Sequence, residues 1–183
     1  MEEISLKLFQ KKYSHHINKG LSFHTLEWVR DSYQFDFDVF LKSKNKNLQR
    51  DFCWTHSQKQ ALIYTMLRDQ KINPIVVVQY KETGYETGEN SIFSVIDGKQ
   101  RLSTAFAYIN NEFSIDILGK EFFFKDLPLD CQKQILHYSF LWDVHYSYED
   151  DKISDDILID IFEECNFLGT PQDIEHLKRL KDD

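Results

Sequence analysis

Glycine, proline and cysteine are scarce in this sequence, which has six glycines, three prolines and three cysteines among 183 residues. So few glycines and prolines leave little room for long linkers or low-complexity tails. The cysteines, Cys53, Cys131 and Cys165, are far apart, odd in number and without C-x-x-C spacing. This pattern argues against a disulfide framework and a zinc site, and we expect reduced thiols, as in a cytoplasm.

Long hydrophobic runs and an excess of positive charge are also missing. The sequence has no stretch of about 18 apolar residues and no signal-peptide core, so we expect a soluble, cytoplasmic protein without a membrane segment. The net charge of -8 argues against a protein that grips duplex DNA over its whole surface, because such affinity comes mainly from neutralising phosphates. A local basic pocket is compatible with this charge.

Apolar and aromatic residues are plentiful, at 42% and 15% of the chain. That content is enough to fill the core of one ordinary domain of this length. We therefore predict a single domain over residues 1–183, without a second, nuclease domain. The seven histidines show neither an HNH grouping nor an H-E-x-x-H motif, so no metal-ligand set and no self-contained metal nuclease is predicted.

The best-defined pattern lies in the middle of the chain. "PIVVVQY" at residues 74–80 and "SIFSVID" at residues 91–97 are rich in β-branched residues and predict two neighbouring strands joined by a turn around Gly84 to Asn90. After Gly98, apolar residues recur at helical spacing, at Leu102, Ala105, Phe106 and Ile109. This part of the sequence predicts a strand, a glycine and then a helix.

Shorter patterns predict the remaining elements of an α+β protein in which helices wrap a small mixed sheet. These elements are a half-buried strand from Tyr33 to Val39, a basic loop over residues 42–50, a helix begun by a Ser57/Gln60 capping box and ended near Asn73-Pro74, two short strands about a Leu118-Gly119 turn, a helix from about Leu129 to Tyr138, a strand in "FLWDVHYSY", and helices capped by Ser154 and Thr170.

The stretch "DGKQR", residues 97–101, is the candidate functional motif. A helix that begins directly after a strand points its unpaired N–H groups away from the strand, where they attract anions. Lys99 and Arg101 add mobile positive donors, Gln100 adds an amide, and Gly98 lets a phosphate approach closely. Asp97 then holds the arginine, bonds a sugar hydroxyl or carries a metal. The plainer alternative is that Asp97 and Arg101 only pair with each other and close the helix end.

The loop before the first predicted helix is a second candidate. It carries Arg50, Phe52 and Trp54, and a guanidinium beside aromatic faces is suited to stacking on a purine. The alternative is that the two aromatic residues are core anchors. Asp36 and Asp38 are two apart on the predicted strand, so we expect them to share a face.

Four segments resemble those of one known family. "DGKQRLST" resembles the DGQQR motif of the family typified by the N-terminal domain of GmrSD-type modification-dependent restriction systems, which is related in fold to ParB and sulfiredoxin. "NLQRDFCWTHSQKQALIYTML" resembles the family's segment "QR.yvW...q...li..il", and "PIVVVQY" resembles the strand that follows it. "IFEECNFLGTPQDIEHL" resembles the segment "iF..iN.gGtp.s..E". The resemblance covers roughly residues 47–180.

The resemblance implies a ParB/sulfiredoxin-like fold and a nucleotide pocket. The positions that match the family's pocket are Gln49, Arg50, Asp97, Gly98, Gln100, Arg101 and Asn166. Lys99 stands where the family has a glutamine, and its ammonium strengthens binding of an anion but lacks the acceptor oxygen of an amide. Leu168 stands where the family has a glycine.

The implied function is that of a nucleotide-binding domain that regulates DNA restriction, with hydrolysis of a nucleoside triphosphate as its chemistry. Arg50, Lys99 and Arg101 then stabilise charge on the transferring phosphoryl group, and Asp97 orients water or Mg²⁺. Two alternatives stay open: a ParB-like module whose basic pocket holds a DNA phosphate, and a stand-alone, phage-encoded interaction protein that occupies a host defence complex without chemistry. The expected partners are a nucleotide, DNA, a separate nuclease or a host protein, and self-association is also open.

Overall fold

The computed structural model describes residues 18–32, 34–80, 92–146 and 153–167. In chain order, its strands are β1 (Asn18–Thr25), β2 (Gln34–Asp36), β3 (Phe40–Leu41), β4 (Lys46–Asn47), β5 (Ile75–Tyr80), β6 (Ile92–Asp97), β7 (Ile115–Ile117), β8 (Lys120–Phe122) and β9 (Ser139–Tyr146). Its helices are α1 (Leu26–Ser32), α2 (His56–Leu67), α3 (Lys99–Ile109), α4 (Leu129–Leu136) and α5 (Asp155–Phe167), with a 3-10 turn at Phe124–Asp126. Among these described helices, none has the length and apolar character needed to cross a bilayer.

Five of the strands form one mixed sheet in the order β1-β9-β5-β6-β2. The pairs β1-β9 and β5-β6 are antiparallel, whereas the pairs β9-β5 and β6-β2 are parallel. The strands β3 and β4 form a separate ribbon, and so do β7 and β8. The predicted α+β class with a mixed sheet is confirmed.

The central strand β5 is covered on both faces. Its residues Ile75, Val76, Val77 and Val78 are all buried, which explains a β-branched run without polar alternation. Val77 belongs to a core shared with α1 to α4, and Val76 and Val78 belong to a second core shared with α5. Because successive residues of a strand point to opposite faces, one sheet separates the two cores.

Several predicted elements are confirmed where expected. They are the strands β5 and β6, the helix after Gly98, the two short strands about Leu118-Gly119, the helix starting at Leu129, the strand β9 and the helix after Ser154. The turn around Gly84 to Asn90, Tyr33 and the helix after Thr170 lie outside the described residues.

The start of α2 differs from its prediction. Thr55, not Ser57, is the N-cap: its hydroxyl accepts the Gln58 N–H at 3.4 Å, and its own N–H donates to Gln58 Oε1 at 2.8 Å. Gln60 instead contacts the His56 ring at 2.9 Å. The capping box is therefore the one that begins two residues earlier.

The region between β2 and α2 also differs. The strand predicted to run from Tyr33 to Val39 ends at Asp36, where the chain bends and the Asp38 N–H donates to the Asp36 carboxylate at 3.0 Å. Part of the predicted basic loop forms the β3-β4 ribbon. This ribbon packs against the sheet because Leu41 and Leu48 are buried in the second core, which is shared with α5.

Candidate functional site

The turn between β6 and α3 is built around Gly98. Its φ of +106° lies in the left-handed region, and a Cβ there would come within 2.6 Å of Ile75 Cδ1. Glycine is required both by the conformation and by the space. Helical bonding starts at once, since the Leu102 N–H donates to the Gly98 carbonyl at 2.9 Å. Gly98 has no side chain, and no side-chain hydrogen bond caps the start of α3.

Arg101 is held inside the protein. Its Nη2 donates to the Asp97 carboxylate, and its Nη1 donates to the Asn73 carbonyl at 2.5 Å. Only 13% of the side chain is exposed. The structure thus shows the plainer alternative, in which Asp97 and Arg101 pair, and the pair also ties the segment before β5 to the end of β6.

Lys99 is paired as well. Its Nζ lies 2.6 Å from Asp38 Oδ1, and its side chain is 10% exposed. Asp36 accepts a hydrogen bond from Ser94 Oγ at 3.3 Å instead, so Asp36 and Asp38 do not share a strand face. The expectation that Lys99 and Arg101 are mobile positive donors is wrong, because carboxylates hold both of them. They stiffen the turn.

Gln49 fastens the preceding loop to the end of β6. Its Nε2 donates to the carbonyl of Val95 at 2.6 Å and to the carbonyl of Ile96. These are the residues immediately before Asp97. The expectation that Gln49 comes close to the motif is therefore met by contacts with the backbone of β6.

Gln100 fastens the same loop from the start of α3. Its Oε1 accepts the N–H groups of Cys53 at 3.0 Å and Trp54 at 3.3 Å, and its Nε2 donates to the Asp51 carbonyl at 3.2 Å. Both polar ends of the amide are used, which a lysine at this position could not match. The two glutamines hold residues 49–54, which we call the anchored loop, against the Gly98 turn.

Arg50 is flanked in the anchored loop by Gln49 and Asp51, which are bonded to opposite sides of the turn. Its backbone must therefore lie beside the amino end of α3. Its side chain is exposed and makes no hydrogen bond or ion pair within the described residues. Of the three candidate-site cations Arg50, Lys99 and Arg101, Arg50 is the one that is exposed and unpaired within the described residues.

The two aromatic residues of the anchored loop have different surroundings. Trp54 packs against the core shared with α1 to α4, so it is an anchor. Phe52 is exposed, and the Lys59 ammonium lies 4.9 Å from the centre of its ring. Only Phe52 offers a ring face at the surface.

The C-terminal end of α5 lies within electrostatic reach of Asp97. Burial of the thiol, which removes it from water, is the main cause that raises the pKa of Cys165, and the negative charges of Asp97 and Asp143 add to it. The residue as a whole is nevertheless exposed. The Asn166 amide donates to the Phe162 carbonyl of its own helix at 2.8 Å. Within the described residues, the Asn166 side chain is thus bonded inside α5 and not to the Gly98 turn.

Two features were not foreseen from the sequence. Asp38 forms an ion pair with Lys99, which is 61 positions away in the sequence. A pattern of residue spacing does not predict a pair between residues so far apart. His145 is buried with its Nε2 3.4 Å from Asp143 Oδ1, and burial lowers its pKa. The period-two alternation of β9 places Asp143 and His145 on one face, and would have pointed to this pair.

Comparison with known proteins identifies the family. No curated protein and no solved structure matches this chain, so the ParB/sulfiredoxin-like assignment stays a prediction. The family model of the GmrSD restriction endonuclease, N-terminal domain, matches residues 37–179. That range includes the anchored loop, the Gly98 turn and Asn166. The chain therefore belongs to the family of GmrSD restriction endonuclease N-terminal domains.

Proposed function

We propose that this domain binds the phosphate groups of a nucleoside triphosphate at the amino end of α3. The proposal depends on one observation: Arg50, exposed and unpaired within the described residues, belongs to the loop that Gln100 bonds to the start of α3, where no side chain caps the helix. Free N–H groups at a helix start attract anions, and a guanidinium adds parallel donors that match a phosphate.

The remaining motif residues preorganise this arrangement. Arg101 and Lys99 are each paired with a carboxylate, and Gln49 and Gln100 are each bonded to backbone groups. These bonds hold the loop and the helix start in one arrangement. Such preorganisation lowers the entropy cost of binding. The base of the same nucleotide would stack on the exposed ring of Phe52, whose neighbours Asp51 and Cys53 are bonded to Gln100.

Hydrolysis is the second part of the proposal. One carboxylate oxygen of Asp97 bonds Arg101, and the other has no hydrogen bond within the described residues. That oxygen is suited to orient water toward the terminal phosphate while Arg50 stabilises the developing charge. The described residues contain no group of three or more His, Cys, Asp or Glu side chains that could hold a metal ion. A Mg²⁺ ion brought in by the nucleotide needs only one or two carboxylates besides the phosphates, and Asp97 would be the residue to hold it.

Restriction of DNA supplies the biological setting, since the family is that of a restriction endonuclease. We infer that nucleotide binding by this domain regulates DNA cleavage carried out by a nuclease domain or a separate nuclease. The histidine pattern of this chain, which lacks an HNH grouping, supports such a division of labour.

Calorimetric titration of the 183-residue chain with ATP, GTP, CTP and UTP, each with and without Mg²⁺, tests the binding step. We expect saturable binding that Arg50→Ala weakens about tenfold or more, because a hydrogen bond to a charged group contributes about 1.5–3 kcal/mol. Arg68→Ala is the matched control, since Arg68 is exposed at the end of α2 and its side chain has no ion pair within the described residues. No heat with any nucleotide, or an equal loss in both variants, contradicts the proposal.

The DNA-binding alternative is separated by titrating a duplex oligonucleotide in the same way. A ParB-like module would bind it with an affinity that falls steeply with salt and weakens in Arg50→Ala. Oligonucleotide binding without nucleotide binding would favour that alternative. If neither ligand binds, capture of a host protein from extract tests the interaction-protein alternative.

A further inference from the structure

A cavity of about 150 Å³ lies on the face of the sheet that carries Trp142 and Phe93. Its lining includes Phe93, which precedes Asp97 by four residues in β6, or about 13 Å along the strand. Side chains of four neighbouring strands form it, namely Ser22, His24, Gln79, Phe93, Trp142 and Val144. Neither the motif nor the anchored loop contributes to this cavity.

Two of the lining residues have a buried polar atom without a partner. Trp142 is 2% exposed, and its indole N–H has no acceptor within the described residues. The Ser22 hydroxyl is also buried and lacks a partner in the same part of the chain. Ser22 and Trp142 lie directly opposite each other in the β1-β9 register. Buried donors are nearly always satisfied, so two neighbouring exceptions at a cavity wall call for a ligand or another partner.

Aromatic rings pack against two of the lining residues, His24 and Trp142. His24 stacks on Trp28 with 4.0 Å between ring centres, and Phe35 stacks on Trp142 at 5.7 Å. Burial lowers the pKa of His24, which keeps its imidazole neutral at neutral pH. Aromatic walls with a few polar groups are typical of sites for small planar molecules.

We propose that this cavity binds a small, uncharged heteroaromatic molecule whose acceptor atom takes the Trp142 indole N–H. The volume is sufficient for a benzene-sized ring and exceeds what one water molecule requires. No lining residue carries a formal charge at neutral pH, so a charged ligand would lose its hydration without compensation. The site is separate from the phosphate site and does not rest on it.

The test uses pyrimidine as probe, with benzene as the matched probe that has the same ring size and no acceptor nitrogen. In ¹⁵N-labelled full-length protein, the three tryptophans give three indole N–H signals, and Trp142→Phe assigns one of them. We expect pyrimidine to shift the Trp142 signal saturably, in the millimolar range expected of so small a ligand, and the Trp54 signal to stay in place. Benzene should bind more weakly.

Substitution of Ser22, which lies opposite Trp142 in the β1-β9 register, supplies the second readout. Ser22→Ile removes the hydroxyl and fills part of the cavity, so it should weaken pyrimidine binding about tenfold or more. Ser139→Ile is the matched control, because Ser139 is exposed at the start of β9 and outside the lining. Absence of a saturable Trp142 shift in the unmodified chain overturns the proposal even if Ser22→Ile fails to fold. Unchanged affinity in Ser22→Ile, or equal affinity for benzene, overturns it as well.

Discussion

At the scale of single residues, the pairing of charged side chains decides which cations of the site can bind a ligand. The Asp97–Arg101 pair could be foreseen, because residues four apart at a helix start are neighbours. The Lys99–Asp38 pair could not, since it depends on the bend after β2 and on the parallel pairing of β2 with β6. Charge alone indicated an anion site at residues 97–101, but the number of free cations there was overestimated.

Gly98 makes a residue-scale prediction. Gly98→Ala should lower the free energy of unfolding by about 2–5 kcal/mol. The alanine must keep a backbone with positive φ, and its Cβ displaces the Ile75 side chain. Gly119→Ala is the matched control: its φ is +79°, but nothing lies within 4 Å of the added Cβ, so only about 1–2 kcal/mol is expected. Urea unfolding of both variants measures the difference. Equal losses would show that Ile75 does not restrict the turn.

At the scale of elements, periodicity and turn chemistry located most helices and strands, and tertiary contacts decided their ends. The segment "THSQKQ" contains two overlapping capping boxes, Thr55 with Gln58 and Ser57 with Gln60. The first is used because Gln100 holds the N–H groups of the residues just before Thr55, which keeps the chain extended up to that point. A local pattern carries no information about that contact.

The cap itself can be tested. Thr55→Ala should destabilise the protein by about 1 kcal/mol, because it removes the acceptor for the Gln58 N–H. Ser57→Ala lies within the first turn of α2 and should change stability by less than about 0.5 kcal/mol. Thermal or urea unfolding compares the pair. A larger effect of Ser57→Ala would place the start of α2 at the box predicted from the sequence.

At the scale of the whole molecule, the α+β class was predictable and the order of the strands was not. β9 lies between β1 and β5 although it comes last of the three in the chain, and the hydrophobic pattern does not rank such long-range pairings. The β3-β4 ribbon was missed for the same reason. Leu41 and Leu48 are buried in the core that α5 covers, and α5 lies more than 100 residues further along the chain. The sequence around the ribbon does not indicate that contact.

The central claim about the molecule is a phosphate site where the anchored loop meets the start of α3. Its most direct test is a nucleotide titration of the ¹⁵N-labelled full-length chain, observed at every backbone amide. Saturable shifts are predicted at Lys99, Gln100 and Arg101, while Ser57, at the side-chain-capped start of α2, should stay in place. Binding that moves other amides and leaves the start of α3 unchanged would contradict the claim.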